Sequence, residues 1–318
     1  MKKFLLRLAY FFIAIFVLAC LFDVFISYRL TQSSERKYQQ WSGLYQDSIN
    51  ADVIILGNSR ALTQYDPSII DSFLNTNTYV LSFDGSAINR QMIKYENYRR
   101  LINHKPKLIL QNIDLMTMAV THGYEREQFF PYFIFDRDLV YSFQIYEKFN
   151  FLELYLPCFR YIGYPREVKK ALKMHSEYSE PLYKGFYAVD RPYDGSMLKN
   201  MQEVNAALDT NMIKKFEEYC TNIKKDSISI CFIYAPIYIE ATEKMTNIIN
   251  MYDTYKKIAE QHEIPILDYN YHTISLDSTN FYNATHLNKK GAELFSKQLT
   301  KDLDDSLGII QITTTTKE

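Results

Sequence analysis

Glycine and proline are both scarce in this chain, nine of each in 318 residues, and that scarcity excludes collagen-like and low-complexity architectures. Cysteine is rarer still. Of the four, Cys20 lies in the first apolar segment, and Cys158, Cys220 and Cys231 cannot close a disulfide framework among themselves. No CxxC pair points to zinc or redox work, and Cys231, inside the apolar run 228–234, reads as a small core residue. An excess of charge is also missing. Lys and Arg number 36 against 37 Asp and Glu, a net charge of −1, which argues against nucleic acid as a partner. There is no GxxxxGK[ST] phosphate cradle, no GxGxxG turn and no HExxH, and His104, His122, His175, His262, His272 and His286 are scattered. These absences leave nucleophilic chemistry, with no metal or cofactor expected.

What the chain does have is an ordinary globular balance, 47% hydrophobic and 23% charged. Aromatic residues are unusually frequent, with 27 Tyr and 21 Phe. Either a sugar-stacking surface or a codon bias toward Tyr and Phe accounts for them. Length over ~150 gives mass for about two domains, but the strand count below favours a single large one.

The N-terminus sets the expected compartment. Lys2 and Lys3 precede an apolar stretch over 4–28, broken mainly by Arg7 and Asp23. A helix of about 20 apolar residues spans a bilayer, and the basic cluster favours keeping its start in the cytoplasm. An uncleaved anchor over 1–30 is therefore expected, with the rest of the chain outside, in the periplasm or at the cell surface. A cleaved signal peptide would show a small-x-small exit, which is not clear here. Val17-Leu18-Ala19-Cys20 loosely fits a lipobox, but the chain stays apolar after Cys20. Residues 31–50 are polar and read as a juxtamembrane stalk.

From Ala51 apolar runs alternate with amphipathic helical patterns, the signature of a parallel α/β sheet. Strands are expected at 53–56, 79–83, 108–113, 228–234 and 264–267. Asp66-Pro67 starts a short helix through Leu74. Further helices are expected over 88–102, 201–223, 245–259 and 292–303, each with apolar residues at steps of three or four. The stretch 116–196 is irregular and aromatic, too long for a plain connection. It reads as an insertion, either a lid or substrate-facing wall or an elaboration covering one sheet edge. The resulting domain runs from 51 to 308, followed by a tail at 309–318.

Two residues carry the chemistry. Ser59 lies in Gly57-Asn58-Ser59-Arg60, just past the first strand, where α/β sheets bind ligands. Gly57 permits a tight turn there. The block is not the GxSxG elbow of α/β-hydrolases, because Ala61 stands at the second glycine. His286 falls in a loop before the last helix, which Asn288 can cap, and a loop-borne imidazole is the usual base for a serine.

Together these two blocks, Gly-x-Ser after strand one and Asn283-x-x-His286-x-x-x-x-Gly291 before the C-terminal helix, resemble the SGNH (GDSL-like) hydrolase superfamily. Within it the chain looks similar to a membrane-anchored branch with a GxSR-type first block, including cell-envelope acylation proteins of teichoic-acid D-alanylation and alginate O-acetylation. The resemblance implies a three-layer α/β/α fold with a roughly five-stranded parallel, flavodoxin-like sheet behind the transmembrane helix. It makes Ser59 the nucleophile, His286 the base, and Gly85, in the turn after strand two, an oxyanion donor beside the Ser59 N–H. It also implies an acyl ester of an envelope glycan or glycolipid as substrate, and a membrane-bound acyltransferase as a partner. Two departures stand out. The family's acid is usually Asp three residues before the histidine, and here it is Asn283. The third-block oxyanion Asn is not clearly matched, with Asn112 and Asp114 as local options on one side of the strand.

Overall fold

The computed structural model describes residues 1–46, 49–115, 117–118, 126–146, 149–173, 182–203, 208–246 and 248–307, which fall into two units. The 309–318 tail, Val204 and parts of the 116–196 stretch lie outside the described residues.

The larger unit comprises 44–122 and 182–318. Its sheet holds β1 (Val53–Leu56), β2 (Thr78–Val80), β3 (Leu108–Asn112), β4 (Ser229–Tyr234) and β5 (Ile266–Asp268) in the order β2-β1-β3-β4-β5. All four pairings are parallel, with Ile54 opposite both Tyr79 and Ile109. β1, the start of β3 (Leu108, Ile109 and Leu110) and the body of β4 are apolar runs because both faces are covered. On one face Val53, Ile55, Leu110, Cys231 and Ile233 join the core formed with Tyr65, Ile70, Phe295 and Leu299. These come from the region of the Pro67–Leu74 and Lys289–Leu307 helices. On the other face the Phe232 ring lies 5.4 Å from Phe216 and 6.2 Å from Tyr255, carried by the Thr210–Lys225 and Ile248–Gln261 helices. The fold is thus the expected three-layer α/β/α arrangement. Cys231 is fully buried, as expected, and burial pushes its thiol up to about 12.

Local departures have local causes. The helix expected from 201 begins at Thr210, because the Asp209 side chain accepts from Asn211 N (2.9 Å) and Met212 N (3.4 Å) and caps it there. β2 stops at Val80 rather than 83, although Leu81 N still donates to Ile55 O at 2.8 Å. Residues 182–196, expected as part of the insertion, belong to this unit, and Lys184 O accepts from Val80 N (2.9 Å) along the edge strand β2.

The smaller unit comprises 1–43 and 123–181. It contains the Lys2–Thr31 helix, long and apolar enough to cross a membrane. The stretch expected as a stalk carries the Arg36–Tyr45 helix, whose Tyr38 and Trp41 are fully buried. The Trp41 ring sits 5.2 Å from Phe129, and its indole N–H donates to Gln128 Oε1 at 3.2 Å. Phe129, Phe130 and Phe143 are fully buried as well. Much of the aromatic excess in this stretch is therefore core.

Candidate active site

The site begins at the carboxyl end of β1, next to the switch point between β1 and β3, where the strand order reverses. A short helix, Ser59–Gln64, starts directly at the serine. Asn58 caps it, its Oδ1 accepting from Arg60 N at 3.0 Å. Gly57 is needed for space, not for a left-handed turn. A Cβ there would lie 2.5 Å from Ala61 Cβ and 2.9 Å from Asn112 Cβ, so only glycine lets helix and β3 close in on the strand end.

His286 arrives on a hairpin and not on a plain loop. β6 (Phe281–Asn283) pairs antiparallel with β7 (His286–Leu287), and Asn283 faces His286 across a two-residue turn. Asn288 then caps the final helix as expected, its Oδ1 accepting from Gly291 N at 3.0 Å. Gly291 is required by close approach, since a Cβ would meet Asn280 O at 2.0 Å. The Asn283-to-Gly291 spacing therefore reflects one tight hairpin seated on one helix start.

The geometry brings three of the expected residues together. His286 Nε2 lies 2.8 Å from Ser59 Oγ, and His286 Nδ1 lies 3.0 Å from Asn283 Oδ1. The same Asn283 oxygen accepts the backbone N–H of Thr285 and of His286, both at 3.0 Å. Two fixed N–H donors require an oxygen at that position, which settles the amide orientation. The amide oxygen must then receive a proton from Nδ1, so Nε2 is the bare nitrogen facing Ser59. Thr285 Oγ1, 2.9 Å from Nδ1, can share that hydrogen. Tyr282 stacks on the imidazole with ring centroids 5.5 Å apart.

Electrostatics reinforce the neutral imidazole. Burial, and then the positive charge of Arg60, push His286 from 6.5 down to about 3. Arg60 is itself buried. Its Nη2 donates to the carbonyls of Ala235 and Pro236, and its Nη1 lies 3.5 Å from Asp114 Oδ2. Asp114 is the anchor of this loop. Its Oδ2 accepts from Asn58 Nδ2 at 2.6 Å, and its Oδ1 accepts from Thr117 N and Thr117 Oγ1, both at 2.9 Å. Asn58, Arg60 and Asp114 thus fix the Ser59 turn to the ends of β3 and β4.

The remaining expected donors fare differently. Gly85 lies in the turn after β2 with a left-handed φ of 61° and is exposed. Asn112 is fully buried, with its Oδ1 accepting from Tyr65 OH at 2.8 Å and its Nδ2 3.5 Å from Asp114. Asp114, as an acceptor, anchors the loop and supplies no donor. The Ser59 N–H, first in its helix, has no acceptor within that helix. Sequence reading missed Arg60 and Asp114 as a pair. The adjacent Arg60 was visible in the first block, but nothing local linked it to a carboxylate 54 positions later.

No protein-family model matches the sequence, and no curated protein matches it. Solved structures with a similar chain course are acylhydrolases and carbohydrate esterases of low sequence identity. A putative acylhydrolase from Bacteroides fragilis has 11% identity and a TM-score of 0.43, over 82% of this chain and 95% of that one. An acetyl xylan esterase, AlAXEase, has 8% identity and a TM-score of 0.42, over 80% and 98%. A family two carbohydrate esterase from Clostridium thermocellum has 7% identity and a TM-score of 0.41, over 81% and 64%.

Proposed function

We propose that the chain is a membrane-anchored, extracytoplasmic serine esterase or O-acyltransferase of the SGNH type, acting on acyl esters of envelope glycans or glycolipids. One observation carries the reading: Ser59 Oγ, His286 Nε2, His286 Nδ1 and Asn283 Oδ1 form one relay with links of 2.8 and 3.0 Å. Ser59 Oγ attacks the acyl carbonyl as His286 Nε2 takes its proton. The Ser59 N–H and Gly85 N–H face the developing oxyanion. The imidazolium then protonates the leaving alcohol, and water or an acceptor hydroxyl reverses the sequence to release the acyl group. The apolar N-terminal helix with its Lys2, Lys3 and Arg7 start supports an anchor with the domain outside.

Asn283 favours a second reading, a non-catalytic scaffold or glycan-binding subunit of an envelope assembly system. An amide orients the imidazole but does not neutralise the imidazolium. Turnover by Ser59→Ala decides between them. The variant loses cleavage of an ester that the wild type cleaves while remaining folded, with only a slight shift in melting temperature, since one half-buried hydroxyl is removed. Wild-type turnover in the variant refutes the nucleophile.

A further inference from the structure

The apolar helix is longer than a bilayer needs. Its apolar stretch, Phe4 to Tyr28, is about 25 residues and so about 37 Å long, against a hydrocarbon core of about 30 Å. Counted from Phe4, a core of about 30 Å takes up about 20 residues and leaves the surplus at the C-terminal end, and that end is gripped by the chain itself. Asp23, Ile26, Ser27 and Leu30, one stripe of the helix, are buried, whereas Val24, Phe25 and Tyr28 on the other side are exposed. The grip comes from residues 158–173. Cys158 Sγ donates to Ala19 O at 3.3 Å, Arg160 pairs with Asp23, and Ser27 Oγ meets Tyr161 OH at 2.8 Å. Arg29 closes it, donating to Ala171 O (3.2 Å) and Lys173 O (2.9 Å). The Arg160–Asp23 pair carries no net charge, the paired form in which ionisable residues occur at this depth.

Directly before this grip stands a short helix, Phe151–Tyr155, followed by Leu156 and Pro157. Its capping box holds Asn150 and Glu153 to each other, and Glu153 lies 3.7 Å from Arg126. The apolar members point away. Phe151 is 72% exposed, and Leu152, Tyr155, Leu156 and, beyond the grip, Ile162 are exposed too. Such a cluster of large apolar side chains marks an interaction surface. Because the Cys158 and Arg160 contacts tie this segment to helix levels 19–23, the cluster sits at the level where the apolar helix reaches the edge of the hydrocarbon core.

We propose that the 151–162 segment is an interfacial collar, its apolar side chains immersed in the headgroup and acyl boundary of the membrane that the N-terminal helix spans. This rests on the anchor reading of that helix. Aromatic and aliphatic side chains on one short amphipathic segment insert about 5–10 Å at such a boundary, and Tyr28 and Tyr155 are the residue type enriched there.

Tryptophan quenching in the full chain tests it. The one native tryptophan, Trp41, is fully buried and provides the baseline. Phe16→Trp reports the anchor, and Phe151→Trp or Tyr155→Trp reports the collar. Each variant is reconstituted in phosphatidylcholine vesicles with and without acyl-chain-brominated lipid, and separately titrated with aqueous iodide. The expected result is loss of emission to brominated lipid for all three variants, with the collar tryptophans behaving more like Phe16→Trp than like the wild-type baseline. Quenching of Phe16→Trp alone, with the collar tryptophans quenched by iodide or by neither agent, keeps the anchor and overturns the collar. Failure of Phe16→Trp to quench refutes the anchor, and the collar proposal with it.

Discussion

Replacing Asn283 by Asp places a carboxylate where the imidazolium charge of His286 develops, and the structure sets the size of the effect. The amide oxygen already accepts three N–H groups, from Thr285 N, His286 N and His286 Nδ1, all at 3.0 Å. The carboxylate introduced by Asn283→Asp inherits those donors without rearrangement, as charge-assisted bonds. Two unit charges about 4 Å apart interact by about 4 kcal/mol at an effective dielectric of about 20. Much of that is offset by desolvating the new charge. A net transition-state gain of about 1.4 kcal/mol remains, about tenfold in kcat/KM. The same interaction raises the His286 pKa by about one unit, since one unit corresponds to about 1.36 kcal/mol. Ester hydrolysis kinetics, with NMR titration of the His286 ring, measure both. Negligible activity in both proteins, with the variant folded, refutes the weakened-triad reasoning in favour of the scaffold. A large loss of rate means that Asn283 holds something other than the imidazole in place.

Two further outcomes follow from the same observations. His286 sits at about 3 in the folded chain against an ordinary value of 6.5, so between those pH values the unfolded chain binds a proton that the folded chain does not. Its contribution to stability is full above about pH 6.5 and is lost as pH falls toward 3. The melting temperature of the wild type should therefore fall more steeply between pH 7 and 4 than that of His286→Gln, and equal slopes would refute the depressed pKa. For topology, alkaline phosphatase fused to the C-terminus should be active and a cytoplasmic reporter there silent, and the reverse pattern would refute both the outside location and an envelope substrate.

The parallel sheet was legible because 53–56, 108–110 and 230–234 are apolar runs flanked by helical periodicity. Ser59 and His286 were legible because their blocks sit at a strand end and a helix start. What was not legible was long-range. The Ser59–Gln64 helix is shorter than two turns, too short for a periodic pattern. From the sequence Asp114 is one option for the third block, but its contacts with Thr117 and with Asn58 and Arg60, far away in the chain, make it an acceptor that anchors the loop. The 116–196 stretch reads as one insertion because irregular sequence does not say which neighbour it joins. Part of it packs with Trp41 and the N-terminal helix, and part lies along β2.

Labelling with a fluorophosphonate ester probe, followed by peptide mapping, tests the central claim most directly. Only a serine whose proton can pass to a neutral, correctly oriented imidazole reacts readily. The account predicts a single phosphonylated residue, Ser59, and loss of the label in His286→Gln. A folded wild-type protein that takes no label, or takes it elsewhere, contradicts it.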